Sequence, residues 1–358
     1  MLFHMVNCKP SNFFGLTNPG KSPRIKIIAL GKMVDEMKSI VLKLLRENYP
    51  DYTSGEEICK NLGVSRTAIW KHVQALRAKG YDIESQTKSG YRLLAVPDRL
   101  YPEEIYSGLE TVTLGRNIYY LDSTSSTNHV ARELAAGGAP EGTLVVAEAQ
   151  AGGRGRMSRG WYSPHALDVL CSLILRPELP PAEAPPVTML AAVALARAVK
   201  DISGIKAGIK WPNDLLVNGK KLCGILSEMN AEMERVNFLV VGMGVNVNTE
   251  RFPEELSEIA TSLKIESGAF VSRRLLLQKM LYQFEQLYGL WLARGFKPVL
   301  AEWKENCVTL NCPVRVISAR ETLEGWAEDV DDTGALLLRL PDGSLKQLLA
   351  GDVSLRTG

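Results

Sequence analysis

Residues 54 to 81, SGEEICKNLGVSRTAIWKHVQALRAKGY, leave the backbone little choice. Ser54 followed three residues later by Glu57 is a capping box, which satisfies the free N–H groups at the start of a helix. Gly63 supplies the turn that ends it, and Ser65 caps a second helix whose inward stripe is Ile69, Val73 and Leu76 and which stops at Gly80. The stretch therefore reads as helix, tight turn, helix. Upstream, MKSIVLKLLREN sets Ile40, Val41, Leu44 and Leu45 on one stripe of a further amphipathic helix. Downstream, YDIESQTKSGYRLL reads as two short strands around a Lys88-Ser89-Gly90 turn. Residues 37–98 are thus expected to form a winged helix-turn-helix.

The outward face of the second helix carries Ser65, Arg66, Thr67, Trp70, Lys71 and Gln74, and the wing carries Lys88. These residue types suit phosphates and base edges in a major groove. Trp70 faces outward in this assignment and inward if the helix is rotated. Charge points the same way: residues 37–96 hold ten Lys/Arg against six Asp/Glu, and residues 1–36 hold five against two, although the whole chain carries only +2. The rest is acidic, so any nucleic-acid contact belongs to the front. Helix pairs of this length also occur in proteins that never touch DNA, and that alternative stays open here.

The first 36 residues contain Pro10, Pro19, Gly20 and Pro23 and no sustained period, as expected of a disordered arm or of an extension upstream of a start at Met33 or Met37. Cys8, Cys59, Cys171, Cys223, Cys307 and Cys312 include no CxxC pair, which argues against a disulfide framework or a zinc site and for reduced thiols in a cytoplasm. His72, His129 and His165 are too dispersed for a metal centre, so no metal site is read. The longest apolar run, VTMLAAVALARAV, is broken by Arg197 short of a membrane span, and no membrane partner is expected.

VPDRLYPEE, with Pro97 and Pro102, reads as a linker. Beyond it, strand-like and helical runs alternate over residues 99–310, which predicts an α+β body with a mixed sheet. Residues 311–358 show only strand signals, with turns at Asp332-Thr333-Gly334 and Asp342-Gly343, and predict a small β-barrel.

Within the body, AGGRGRMSRGW places four glycines and three arginines in eleven residues. Glycine lets a backbone approach a ligand and arginine offers a planar fork to anions, so an anionic small molecule is the first suspect; a solvated basic hairpin is the alternative. The spacing is neither that of a Walker loop nor that of a dinucleotide fingerprint. KWPND, KKLCGILSE and GMGVNVN share this glycine, asparagine and lysine character, and each follows or joins strand signals.

With SSTNHVA and AEAQAGGRGRMSRGWYSP, these motifs resemble the biotin protein ligases, and with the winged helix in front the chain resembles the bifunctional type that is also the biotin operon repressor, the BirA family. The resemblance runs from about Met37 to Arg356 and keeps five motifs in order. It implies a biotin–[acetyl-CoA-carboxylase] ligase that spends ATP with Mg²⁺ to form biotinyl-5′-AMP, then passes biotin to a lysine of a biotin carboxyl carrier domain. It further implies an SH3-like C-terminal barrel and a homodimer that binds operator DNA when the adenylate, acting as corepressor, is bound.

Residue by residue, the resemblance implies that Gly153, Arg154, Gly155 and Arg156 close over biotin and the adenylate phosphate, with Arg154 catalytic. Arg159 holds ATP phosphates and Trp161 walls the biotin tail. Ser126, Thr127 and Asn128 line the biotin head with Gln150, although SSTN reads equally as a helix N-cap. Lys221 meets the biotin carboxylate and is the catalytic lysine; Lys220 beside it, and a plain hairpin lysine, are the competing assignments. Gly224, Gly242 and Gly244 pack against biotin, and Asn213 with Asn246 contacts adenine. Where the family loop ends in glycine, this chain has Ser158 after Met157, which bears on closure rather than on reaction class. Two alternatives remain at this point: a monofunctional ligase whose DNA-binding domain is inactive, and a non-catalytic biotin-sensing repressor.

Overall fold

The structure is a computed structural model and describes residues 37–153, 155–156, 159–318, 321–349 and 351–355. The chain divides into two compact units between Pro97 and Asp98.

In the first unit, helix α1 (37–47) precedes α2 (Gly55–Leu62) and α3 (Arg66–Ala78), and strands β1 (Asp82–Gln86) and β2 (Gly90–Ala95) pair antiparallel. The caps form as the sequence requires. The Glu57 N–H donates to Ser54 Oγ at 3.0 Å, Gly63 ends α2 at φ 64°, and the Ala68 N–H donates to Ser65 Oγ at 3.3 Å. Ile69, Val73 and Leu76 are buried. In α1 the stripe is corrected: Val41, Leu42 and Leu45 are buried while Ile40 is 42% exposed, because Ile40 lies about 100° round the helix from Val41. The wing turn falls on residues 87–89, with Gly90 opening β2. Gly90 has φ 112°, and a Cβ there would meet the backbone of Thr53, whose N–H and C=O pair with Tyr91. Arg92 and Tyr52 both donate to Glu84, at 2.6 Å each, and stiffen the hairpin.

The second unit opens with α4 (Pro102–Tyr106), so Pro102 of the expected linker starts a short helix. Then follow β3 (Asn117–Leu121), α5 (Thr127–Ala136), β4 (Thr143–Ala147), β5 (Val169–Leu175), α6 (Val187–Ser203), β6 (Gly208–Lys210), β7 (Asp214–Val217), β8 (Lys220–Ala231) and β9 (Val236–Val245). After α7 (Glu254–Ser257), α8 (Leu263–Ser267), α9 (Arg273–Arg294) and α10 (Lys297–Asn306), strands β10 (Cys312–Ile317), β11 (Thr322–Val330), β12 (Leu336–Arg339), β13 (Leu345–Leu348) and β14 (Asp352–Leu355) close the chain. The central sheet runs β3-β4-β5-β9-β8-β7-β6, parallel between β3 and β4 and antiparallel elsewhere. The last five strands form a separate antiparallel sheet.

Strand parity fixes the two faces of the central sheet. Cys171, Leu173, Val241, Met243, Val245 and Ile225 point into the main core beneath α6 and α9, and Val145, Ile174, Phe238 and Val240 pack under α5. The near-continuous apolar sequence of β5 follows from burial on both faces. The main core continues into the C-terminal sheet through Val314, Val316 and Leu336. Trp211, 1% exposed, pins that junction: its N–H donates to Thr309 Oγ1 at 2.9 Å and its indole N–H to Gly334 O at 3.0 Å.

A buried ion cluster ties the entrance of this unit to its sheet. Arg273, at the start of α9 and 0% exposed, pairs with Asp98 at 2.8 Å and with Glu148, also 0% exposed, at 2.7 Å, and donates to Asp168 O at 3.1 Å. Glu148 also accepts the Leu100 N–H at 2.9 Å. Burial pushes the Asp168 carboxyl up to about 6, opposed by hydrogen bonds from the Val247 N–H and from Thr249 and by the charge of Arg273. Arg273→Met is expected to destabilise this unit by about 3–5 kcal/mol, the usual cost of stranding a buried partner charge; the shift of its urea midpoint measures it.

Candidate active site

Two neighbouring glycines open the sheet. Gly224 of β8 stands opposite Gly244 of β9, and one step along, Leu226 stands opposite Gly242, which pairs on its other side with Ser172 of β5. These residues share the face turned away from α6, so missing side chains on adjacent strands leave a depression there. Glycine inside otherwise apolar strands was the sequence signal for it.

The N-terminus of α5 closes one side. Ser126 is the N-cap residue but makes no capping bond; Gln150 does that work, its Oε1 accepting the Thr127 N–H at 2.7 Å, so the N-cap reading of SSTN is half corrected. Thr127, Asn128 and Ser172 are buried and joined: Ser172 Oγ lies 2.8 Å from Thr127 Oγ1 and 2.6 Å from Asn128 Oδ1. Asn128 Nδ2 donates to Leu226 O at 3.1 Å and to Glu228 Oε2 at 3.0 Å. Asn128 is thus a strut across the depression whose amide protons are already used, while the residue still lines the cleft. A Cβ on Gly242 would overlap Asn128 Oδ1, so this glycine makes room for the strut while it also lines the cleft.

Trp161 lies over the other two glycines. A Cβ on Gly224 would come within 2.9 Å of its ring and one on Gly244 within 2.8 Å. Its N–H donates to Gly153 O at 2.9 Å, which fixes the loop end, and its indole nitrogen is buried without a hydrogen-bond partner among the described residues. The cleft left between Trp161, Thr127, Gln150 and Lys221 measures about 50 Å³, room for a water or two.

The two lysines separate. Lys220 Nζ donates to Ser257 O at 2.9 Å, outside the site, whereas Lys221 Nζ pairs with Asp214 at 2.7 Å and stands 5.5 Å from the centre of the Trp161 ring. The Lys221 backbone is clamped as well, its N–H donating to Ile259 O at 2.8 Å and its C=O accepting the Thr261 N–H at 2.9 Å. Asn246, buried, donates to Thr261 O at 2.9 Å and to Lys221 O at 3.4 Å, so its amide protons brace the lysine strand and only its Oδ1 is left for an adenine edge.

Beyond Lys221 the cleft joins a cavity of about 540 Å³ lined by Arg156, Arg159, Asn213, Phe252 and Asp352 among others. Arg156 donates to Gly351 O at 3.2 Å and to Asn213 Oδ1 at 3.4 Å, while Asn213 Nδ2 donates to Ile225 O at 2.8 Å. Burial pulls the Arg156 guanidinium down, with Asp214 and Asp352 acting the other way. Arg159 pairs with Asp352. Gly155 lines both spaces, and Arg154, Met157 and Ser158 lie outside the described residues. Ser172, Glu228, Asp352 and the 259–261 clamp were missed from sequence, since each acts through a partner remote in the chain.

In the first unit, Ser65, Arg66, Thr67, Trp70 and Lys71 are exposed along α3, Gln74 is half-buried and Lys88 is exposed on the wing. Trp70, 54% exposed, faces outward, which settles the helix rotation.

Residues 120–246 match the biotin/lipoate A/B protein ligase family, residues 39–92 an HTH domain family and residues 309–356 the biotin protein ligase C-terminal domain family. The chain is 42% identical over 325 residues to the bifunctional ligase/repressor BirA of Bacillus spizizenii and, at the same identity and length, to that of Bacillus subtilis strain 168, spanning 90% of this chain and 100% of each relative. Its fold resembles the biotin protein ligase from Aquifex aeolicus in complex with biotin and ATP, with a TM-score of 0.59, 27% identity, and coverage of 68% of this chain and 100% of that one. On this evidence the chain belongs to the biotin protein ligase family, in its bifunctional ligase/repressor branch.

Proposed function

We propose that this protein is an ATP-dependent biotin protein ligase that doubles as a biotin operon repressor, and that the observation carrying the catalytic half is the placement of Lys221. Its ammonium stands where the glycine cleft opens into the larger cavity. A carboxylate seated at that mouth and a phosphate entering from the cavity would both meet it. A fixed cation there offsets charge that builds when the biotin carboxylate attacks the α-phosphate and pyrophosphate leaves, and again when a lysine amine of the carrier domain displaces AMP. Asp214, 2.7 Å away, holds the ammonium in place until then.

The remaining assignments follow from what each group offers. Seating biotin requires the Trp161 indole to leave the Gly224–Gly244 floor, since the cleft is far smaller than a bicyclic ring, and a wall for the biotin tail is the natural destination. Arg156, desolvated and short of a full counter-charge, favours an arriving phosphate, and Arg159 can trade Asp352 for ATP. Arg154 would join them. Among the described residues no cluster of three His, Cys, Asp or Glu side chains could hold a metal on its own, so Mg²⁺ enters as part of MgATP.

Residues 37–98 would bind operator DNA, 99–310 catalyse and 311–358 complete the nucleotide cavity through Gly351 and Asp352. Past Gly224, β8 has β9 on one side and no strand on the other among the described residues. That edge supports a homodimer formed when the adenylate is bound, and docking of the carrier domain. The five described cysteines are free, which supports a reducing cytoplasm. No membrane partner is implied.

The direct test is pyrophosphate release with MgATP and biotin, beside lipoate, with and without a carrier domain. Biotin-dependent release and a mass gain on the carrier are expected; tight biotin binding without release would favour a sensing repressor. Lys221→Ala is expected to cut adenylate formation by about 100-fold or more, the scale of a lost oxyanion-type contact, at unchanged thermal stability. Lys220→Ala, tied only to Ser257 O, should stay within about threefold of wild type, as for an exposed lysine. Arg66→Ala with Lys71→Ala should weaken operator binding and flatten its log–log salt dependence by about 2, near 0.9 per phosphate contact, while ligation is spared.

A further inference from the structure

The hydrogen bonds behind the glycine depression have a direction, and Glu228 sets it together with Leu226 O. Asn128 Nδ2 faces two oxygens that can only accept, Leu226 O at 3.1 Å and the Glu228 carboxylate at 3.0 Å. Turning the amide over would set Oδ1 against both, so the orientation is fixed. Oδ1 then faces Ser172 Oγ at 2.6 Å. Ser172 is fully buried and has one proton. An amide oxygen cannot donate, so that proton goes to Asn128, and Ser172 offers Thr127 only a lone pair across 2.8 Å. The Thr127 proton goes to Ser172 or to Gln150 Oε1 at 3.2 Å, and in either case into the wall. What Thr127 shows the cleft is therefore an acceptor.

We propose that Glu228 is the positioning residue that orders these protons and so makes the wall at Thr127 select a ligand N–H, as on the ureido edge of biotin, over a ligand acceptor. This rests on the cleft being the biotin site. Glu228 itself does not line the cleft. It stands on β8 beyond the last β7 pair, its other oxygen 3.3 Å from Arg132, and reaches the ligand only through Asn128, Ser172 and Thr127. A glutamine has the same shape but can present N–H to Asn128. The amide then keeps only Leu226 O to fix its sense, so the reversed orientation becomes accessible; in it the Ser172 proton is released toward Thr127, and the threonine proton is shared between Gln150 Oε1 and the cleft, where it opposes the ureido N–H.

The test is biotin affinity by calorimetry, with steady-state kinetics, for the full-length wild type, Glu228→Gln, Glu228→Asp, Ser172→Ala and the Glu228→Gln/Ser172→Ala double variant. Glu228→Gln should bind biotin about tenfold more weakly, the scale of one lost hydrogen bond, with the loss in KM for biotin and not in KM for ATP or in kcat. Glu228→Asp, which keeps an acceptor-only group, should recover most of it. The double variant should be no weaker than the worse single one, because both break one chain. Glu228→Gln binding biotin within about twofold of wild type, or losses that multiply in the double variant, overturn the proposal. If Glu228→Gln does not fold, Ser172→Ala and Glu228→Asp decide it: biotin KM unmoved in Ser172→Ala overturns the chain, and a Glu228→Asp loss as large as that of Ser172→Ala overturns the role of the carboxylate. Absence of biotin binding by wild type overturns the assignment of the cleft itself, and this proposal with it.

Discussion

One buried guanidinium holds the frame on which the site is built. Arg273 joins the first residues of the second unit, Asp98 and Leu100, to the end of β4 through Glu148 and to the lead-in of β5 through Asp168 O. Asp168 in turn takes the Val247 N–H just past β9. Gln150 follows Glu148 by two residues and Asn246 precedes Val247 by one, so the caps and braces of the site hang from strand ends that this cluster fixes. A hydrophobic replacement of the whole cluster could match its stability, because buried ion pairs recover their desolvation cost only through geometry. What such a replacement would lose is the set of directed bonds that keeps three strand ends in register.

Glycine does two jobs on this sheet. Gly242 gives room to a protein strut, Asn128, while Gly224 and Gly244 give room to Trp161, a side chain on a loop. The first contact is braced from both ends by Ser172 and Glu228; the second rests, among the described residues, on the Trp161 N–H to Gly153 O bond, on packing and on Lys221 over its ring. Rigidity on one side of the cleft and a displaceable indole on the other suit a pocket that must recognise one end of its ligand closely and then admit a second substrate.

Much of this was legible in the sequence because it is local. Serine N-caps, a left-handed glycine after α2 and the 3.6-residue stripe of α3 depend on neighbours within a turn or two, and the winged helix follows from them. The α1 stripe was misplaced by one residue because Ile40, Val41, Leu44 and Leu45 are all apolar, and period alone cannot choose which side of a four-residue cluster meets the core. The motifs of the catalytic face were visible through their composition, but their division of labour was not. Whether Lys220 or Lys221 enters the cleft depends on strand parity and on Ser257, 37 positions away. That Asn128 also braces the sheet was hidden, because its partner Glu228 lies 100 residues on.

The C-terminal sheet shows how a remote module becomes part of the chemistry. Gly351 and Asp352 hold Arg156 and Arg159 of the glycine-arginine loop, so these two cations are already bound to the C-terminal sheet's strand β14 and its lead-in. Phosphate carries more charge than one aspartate and offers several acceptor oxygens, so it can displace Asp352 from Arg159 without stranding the arginine. Such an exchange would leave Asp352 without its cation beside the arriving negative charge. Asp352 belongs to β14, and Trp211, held by Thr309 and by Gly334 O, ties the C-terminal sheet to the KWPND turn that carries Asn213 and Asp214. Lys221 pairs with Asp214, so bonded and packed neighbours run from the C-terminal sheet to the lysine at the mouth of the glycine cleft, and a phosphate bound as proposed would be felt along them.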